Sequence, residues 1–135
     1  MFNIRQFTRM TLISMGLFPA FLLPLKAAEL VMLEQDGCHW CERWHEEIGE
    51  IYPKTAEGKR APLRMVDIHE PVPVDLNEIR IERFTPSFVL VENGQEIGRI
   101  RGYPGDELFW WLLSDLIKKL PQDHESSPTT DISES

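Results

Sequence analysis

Cysteine is scarce in this 135-residue chain, which has only Cys38 and Cys41. Two cysteines cannot frame a disulfide-rich scaffold or fill a four-cysteine zinc module. Basic residues are also few, 14 Lys and Arg against 22 Asp and Glu, for a formal net charge of −8. That balance argues against nucleic acid and anionic membrane surfaces, both of which need positive patches. The apolar run from Met10 to Leu25 carries small and weakly polar residues and falls short of the roughly 20 residues that span a bilayer comfortably. What is present reads as globular: 42% apolar and 27% charged residues, in a length that suits one domain.

The first 28 residues stand apart from the rest. Arg5 and Arg9 precede the apolar run, Lys26-Ala27-Ala28 follows it, and an acidic, mixed sequence then begins abruptly. A basic start, a short apolar run and small residues at the end form a secretory signal pattern, with an uncleaved anchor as the alternative. Removal of residues 1–28 takes away Arg5, Arg9 and Lys26 and no acid, leaving 11 basic and 22 acidic residues, a net charge of −11. The expected organisation is a signal segment (1–28), one domain (29–120) and a disordered acidic tail (121–135) rich in Ser and Thr. Export would place the cysteine pair in an oxidising compartment.

The expected domain alternates strand and helix patterns. Leu30-Val31-Met32-Leu33, within Glu29 to Glu34, is a continuous apolar run of the kind found in strands buried on both faces. Gln35-Asp36-Gly37 is a turn. Trp40, Trp44, Ile48 and Ile51 then recur at +4, +4 and +3, one stripe of a helix over Cys41 to Tyr52 that Pro53 stops. Lys54 to Arg60 reads as a polar loop, Leu63 to Ile68 as a strand, and Glu70 to Arg83 as a loop with at most a short helix near Leu76 to Ile81. Ser87 to Glu92 is a strand. Asn93-Gly94 follows, a hairpin signal because a type I′ turn needs positive φ at both central residues. Ile97 to Tyr103 returns. A last helix opens with Asp106 as N-cap and buries Phe109, Leu112, Leu113, Leu116, Ile117 and Leu120. The expectation is an α/β domain, a four-stranded mixed sheet with helices on its faces.

Cys38-His39-Trp40-Cys41 lies between a predicted strand and a predicted helix. A thiolate at a helix N-terminus meets free N–H groups and the positive end of the dipole, which lower its pKa. An ordinary thiol is only about 3% ionised at pH 7. A pKa near 7 raises that about fifteen-fold and costs about fivefold in intrinsic nucleophilicity, so roughly threefold is gained. Cys38 at the helix tip is the candidate nucleophile, and Cys41, one turn in, the candidate resolving thiol. His39, His45 and Arg43 favour a thiolate, while Glu42, Glu46 and Glu47 oppose it.

Two other readings of the pair stand beside this one. As a purely stabilising disulfide it closes a tiny loop, for roughly 2 kcal/mol at best. As a metal site, Cys38, Cys41 and His45 can hold Cu(I) or Zn, with His69 or His124 needed as a fourth ligand for zinc. Covalent c-type haem is disfavoured, because Glu42 and not His follows Cys41. Trp44 reads as core from its stripe position, and Trp40 as a flank of the disulfide.

These features resemble the thioredoxin-fold thiol–disulfide oxidoreductases over about residues 29–120. The strand–Cys38-His39-Trp40-Cys41–helix layout, Phe84-Thr85-Pro86 before a strand, and the Asn93-Gly94 hairpin followed by Gly102 and a final helix carry the likeness. It implies a cis peptide bond at Pro86, which lies against the disulfide, and a substrate peptide paired with the Thr85 backbone; Trp40 and Gly102 flank that groove. Thioredoxins proper carry Gly-Pro between the cysteines and a buried acid six residues before the first. Here His39-Trp40 and Met32 occupy those positions, which makes Glu34, or water, the candidate proton acceptor for Cys41.

A closer likeness is to the small periplasmic thioredoxins of bacterial sulfur-oxidation operons, carried by Glu29-Leu30-Val31-Met32, Trp44 through Thr55, Ala61-Pro62-Leu63-Arg64 and Gly102-Tyr103-Pro104-Gly105. It implies a periplasmic, monomeric reductase without cofactor or structural metal. Its partners would be protein disulfides, among them a sulfur-oxidation carrier protein, and a membrane thiol-electron donor. The alternatives are an oxidase or isomerase using the same residues, and a copper or zinc carrier.

Overall fold

A computed structural model describes residues 27–121. The expected signal segment, apart from Ala27 and Ala28, and the acidic tail beyond Pro121 lie outside them. β1 (Glu29–Glu34) is central in a four-stranded sheet of order β2-β1-β3-β4, parallel to β2 (Leu63–Asp67) and antiparallel to β3 (Ser87–Glu92). β4 (Gln95–Arg101) closes the hairpin on β3. Asn93 and Gly94 take φ of 53° and 78°, as a type I′ turn requires. The apolar run of β1 has its physical reason here, because both faces of this strand are covered.

Side chains alternate across the sheet. Leu30, Met32, Phe88 and Leu90 face one layer, and Val31, Leu33, Val89 and Val91 face the other. The first layer holds α1 (His39–Trp44), the segment that continues it, and α3 (Asp106–Ile117). Phe109, Leu113, Leu116 and Leu120 are buried there, with Leu112 and Ile117 at the margin, as their spacing predicts. Ala28 is buried in the same layer.

Four local expectations are corrected. The stripe from Trp40 to Ile51 does not run along one α-helix: α1 passes into a π-helix (His45–Gly49) and a 3₁₀ turn (Tyr52–Lys54). The wider π turn shifts the inward face from +3 to +4, so Trp44, Ile48 and Tyr52 are buried, while Trp40 and Ile51 are exposed. Pro53 sits inside the 3₁₀ turn.

Lys54 to Arg60 is not a loop. It contains α2 (Ala56–Arg60), whose N-cap Thr55 accepts the Gly58 N–H through Oγ1 (3.0 Å) and donates to the Tyr52 carbonyl (2.7 Å). A Cβ on Gly58 would stand 1.9 Å from that carbonyl oxygen, so only glycine fits. Between β2 and β3 the helical turn is 3₁₀ and earlier than expected, at Val74–Leu76. Gly105, at φ 99°, caps α3, which makes Asp106 its first residue. A left-handed cap suits glycine and penalises aspartate.

Candidate functional site

The turn after β1 delivers Cys38 to the start of α1. Cys38 is the N-cap, its carbonyl accepting from the N–H groups of Cys41 and Glu42 at 3.0 Å each. Its sulfur accepts from the Cys41 N–H at 3.2 Å and is disulfide-bonded to Cys41. The helix tip is less open than its position suggests: Cys38 is 9% exposed and Cys41 3%. Both border the aromatic layer of the core, and so does Met32, so no carboxylate lies under the disulfide from that position of β1.

Glu34, two residues on, points to the same side of the sheet as Met32. Its Oε2 lies 2.7 Å from His45 Nε2. Glu34, His45, Cys38, Cys41 and Asp67 border one hollow of about 190 Å³. The candidate proton acceptor therefore opens onto the cysteines, with His45 as an ion-pair partner when protonated. His45 is thereby engaged by a carboxylate. Among the described residues no group of three or more His, Cys, Asp or Glu is arranged to hold a metal ion. His39 begins α1 on the exposed side, edge-on to Trp40 at 5.6 Å.

A second recess, a groove of about 180 Å³, is lined by Trp40, Phe84, Thr85, Pro86, Gly102 and Tyr103. All four residues expected to meet substrate, Trp40, Thr85, Pro86 and Gly102, are among them. The Thr85–Pro86 bond is cis, as the resemblance implies. Gly102, at φ 80°, donates its N–H to the Pro86 carbonyl at 2.8 Å. A Cβ there would make only ordinary contact with the Phe84 ring, at 3.4 Å, so it is the positive φ that favours glycine.

Several contacts around the site escaped sequence reasoning. Gln35 donates through Nε2 to Thr85 Oγ1 at 2.9 Å and bonds His69 Nε2 through Oε1 at 2.9 Å, tying the cysteine loop to the cis-proline segment. His69, a conceivable fourth metal ligand by sequence, has this positioning contact instead. Arg43 lies over the Trp40 ring at 5.5 Å and donates to Glu47 at 2.8 Å. Tyr103 donates to the other oxygen of Glu47 at 2.6 Å. The Tyr103 hydroxyl, first, and Arg43, second, hold the Glu47 carboxyl below the ordinary carboxylate range. Burial, with Glu47 adding to it, pushes the Tyr103 phenol up. Only the i,i+4 spacing of Arg43 and Glu47 was legible beforehand.

A disulfide-bonded cysteine pair at a helix start thus stands beside a cis-proline groove. The chain is 43% identical to the periplasmic thioredoxin SoxS from Paracoccus pantotrophus, solved in its reduced form. The match covers 68% of this chain and 97% of that one, with a TM-score of 0.65. The chain belongs to the thioredoxin-like family. Two thioredoxin-like matches share only the fold, each at 18% identity. One is the Malassezia sympodialis thioredoxin Mala s 13, at TM-score 0.55 over 69% of this chain and 80% of that one. The other is a structure solved for the thiol-resolving mechanism of yeast mitochondrial 1-Cys peroxiredoxin, at 0.51 over 67% and 79%. No protein-family profile matches the sequence, and no curated protein matches it significantly. As a thioredoxin-like protein the chain is a thiol–disulfide oxidoreductase acting on protein disulfides, with Cys38–Cys41 as its redox-active centre.

Proposed function

We propose that this protein is an exported, monomeric reductase of protein disulfides in the periplasm, and that one substrate is a sulfur-oxidation carrier protein blocked as a disulfide adduct. The observation that carries the proposal is the Cys38–Cys41 pair in a chain 43% identical to a periplasmic thioredoxin over 97% of that protein. The signal pattern in residues 1–28 supports export. The burial of Ala28 supports a cut that leaves it on the domain. Among the described residues no helix is long and apolar enough to cross a membrane.

In the reduced protein the Cys38 thiolate, accepting the Cys41 N–H, attacks one sulfur of the partner disulfide and expels the other as thiolate. Cys41 then attacks Cys38 Sγ and releases the second partner thiol. The Cys41 proton passes to Glu34 across the shared hollow, with His45 positioning that carboxylate. Two electrons move to the partner, whose two released thiolates take up one proton from Glu34 and one from water, and a membrane thiol carrier restores the dithiol. The Thr85 backbone and Pro86 align the partner strand, Trp40 and Gly102 bound it, and His39 modulates the Cys38 thiolate.

The test is the midpoint potential of the Cys38–Cys41 couple, read by thiol alkylation in dithiol buffers. A value near −270 mV is expected for a reductase. A value near −120 mV would make the protein an oxidant of exported thiols and remove the reductive step. In parallel, Cys41→Ser should trap the mixed disulfide on Cys38, and Cys38→Ser should trap none.

A further inference from the structure

The segment leading to Thr85 holds a second feature. A cavity of about 600 Å³ is lined by Arg80, Ile81, Glu82, Arg83, Phe84 and Arg101. It adjoins the substrate groove, because Phe84 lines both and its ring lies over Gly102. Phe84 stands between the two recesses, with Trp40 of the cysteine motif lining one and the arginines the other.

Charge sets this end apart. In a protein of net charge −8, three guanidinium groups face one carboxylate here. That carboxylate, Glu82, is buried and already shared. Arg101 grips it with two hydrogen bonds, one of 2.8 Å; Arg99 lies at 3.2 Å and Arg80 at 4.0 Å. Arg99 is further occupied by Glu96. Arg83 is exposed and makes no ion pair among the described residues, and Arg80 is 79% exposed on its side chain. Glu82 thus holds Arg101 in place while the surplus positive charge stays at the rim. Phe84, itself 59% exposed, offers an apolar wall beside it. Arginine at such a rim matches planar carboxylates through its donor fork.

We propose that this cavity is a specificity subsite, which rests on the reductase reading above. Its occupant is the extended segment of the substrate polypeptide on one side of the reacting cysteine, and it selects substrates with Asp or Glu there. A strand aligned on Thr85 and continuing past Phe84 reaches Arg80, Arg83 and Arg101. The far end of the groove, at Trp40, has no such surplus, so the preference is one-sided.

The test uses short peptides whose central cysteine is disulfide-bonded to thionitrobenzoate, with two Glu, two Gln or two Lys placed on either side of it. Release of the chromophore by the dithiol form of the full protein gives a second-order rate. The Glu peptides should react about three- to tenfold faster than the Gln peptides for one placement only, the size of one or two exposed ion pairs. The advantage should fade between 0.01 and 1 M salt, as the screening length falls from about 30 to about 3 Å. In Arg80→Gln/Arg83→Gln the ratio should drop toward one, and Arg80→Lys/Arg83→Lys should keep most of it.

Equal rates for all peptides, an equal gain on both sides, or fastest reaction with Lys, as the overall negative charge favours, would overturn the subsite and leave the reductase intact. No chromophore release from any peptide would overturn the reductase reading and the subsite with it.

Discussion

The two faces of the sheet are built differently. One is covered by helices and filled with rings: Phe88 and Phe109 are 4.9 Å apart between centroids, Trp44 and Phe88 5.3 Å, and Trp44 and Phe109 5.8 Å. The other holds only aliphatic side chains, Val31, Leu33, Val66, Val89 and Val91. It is capped by Leu76 and Ile79 from the irregular stretch between β2 and β3. That stretch is tied down by charge, Arg64 on Asp75 at 2.7 Å and Glu82 on Arg99 and Arg101. The redox centre stands on the ring-packed face, where interlocked aromatics hold the cysteine helix. The proposed specificity surface grows from the other, where a chain free of regular hydrogen bonding can present arginines. Rigid positioning of sulfur and adaptable recognition of partners are thus supplied by opposite sides of one sheet.

The largest test of that contrast is Phe109→Ala, which removes a ring packed against Trp44, Phe88, Tyr103 and Trp110. Its neighbours cannot close on the cavity, so a loss of about 3–5 kcal/mol in urea unfolding is expected. Leu76→Ala, equally buried on the other face, should cost about 2–3 kcal/mol, because the irregular cap can settle into the space. Equal losses would mean that both faces are packed alike.

The smallest effect is at the groove edge. The Glu47 carboxyl has its pKa lowered on folding, first by Tyr103. Its contribution to stability is present above its unfolded value, near pH 4.5, and is lost as pH falls through the lower folded value. Tyr103→Phe should therefore narrow the gap between the urea midpoints at pH 7 and pH 3. An unchanged gap would show that the hydroxyl does not hold the carboxylate.

Much of this was legible beforehand because it is local. β1 and β3, the Asn93-Gly94 turn and the inward face of α3 follow from pattern and turn chemistry, and their positions match. The helix after the cysteines was only half legible, because the same apolar residues fit 3.6-residue turns ending on Ile51 or wider ones ending on Tyr52. The core chose the latter by giving Tyr52 a carbonyl, that of Ala61, for its hydroxyl at 2.7 Å. α2 was missed because Thr55 looks like a loop residue until its cap is seen.

The sequence by itself determined the spacing of Cys38 and Cys41, the alternation of strands and helices, and the acidic character of the chain, all properties of neighbours along the backbone. Only the tertiary structure decided that Glu34 meets His45, that Gln35 reaches both His69 and Thr85, and that Arg80, Arg83 and Arg101 surround one cavity. Such meetings depend on sheet register and on how the chain returns to it. Both are set by the burial of whole faces, a sum over many residues that no short stretch contains.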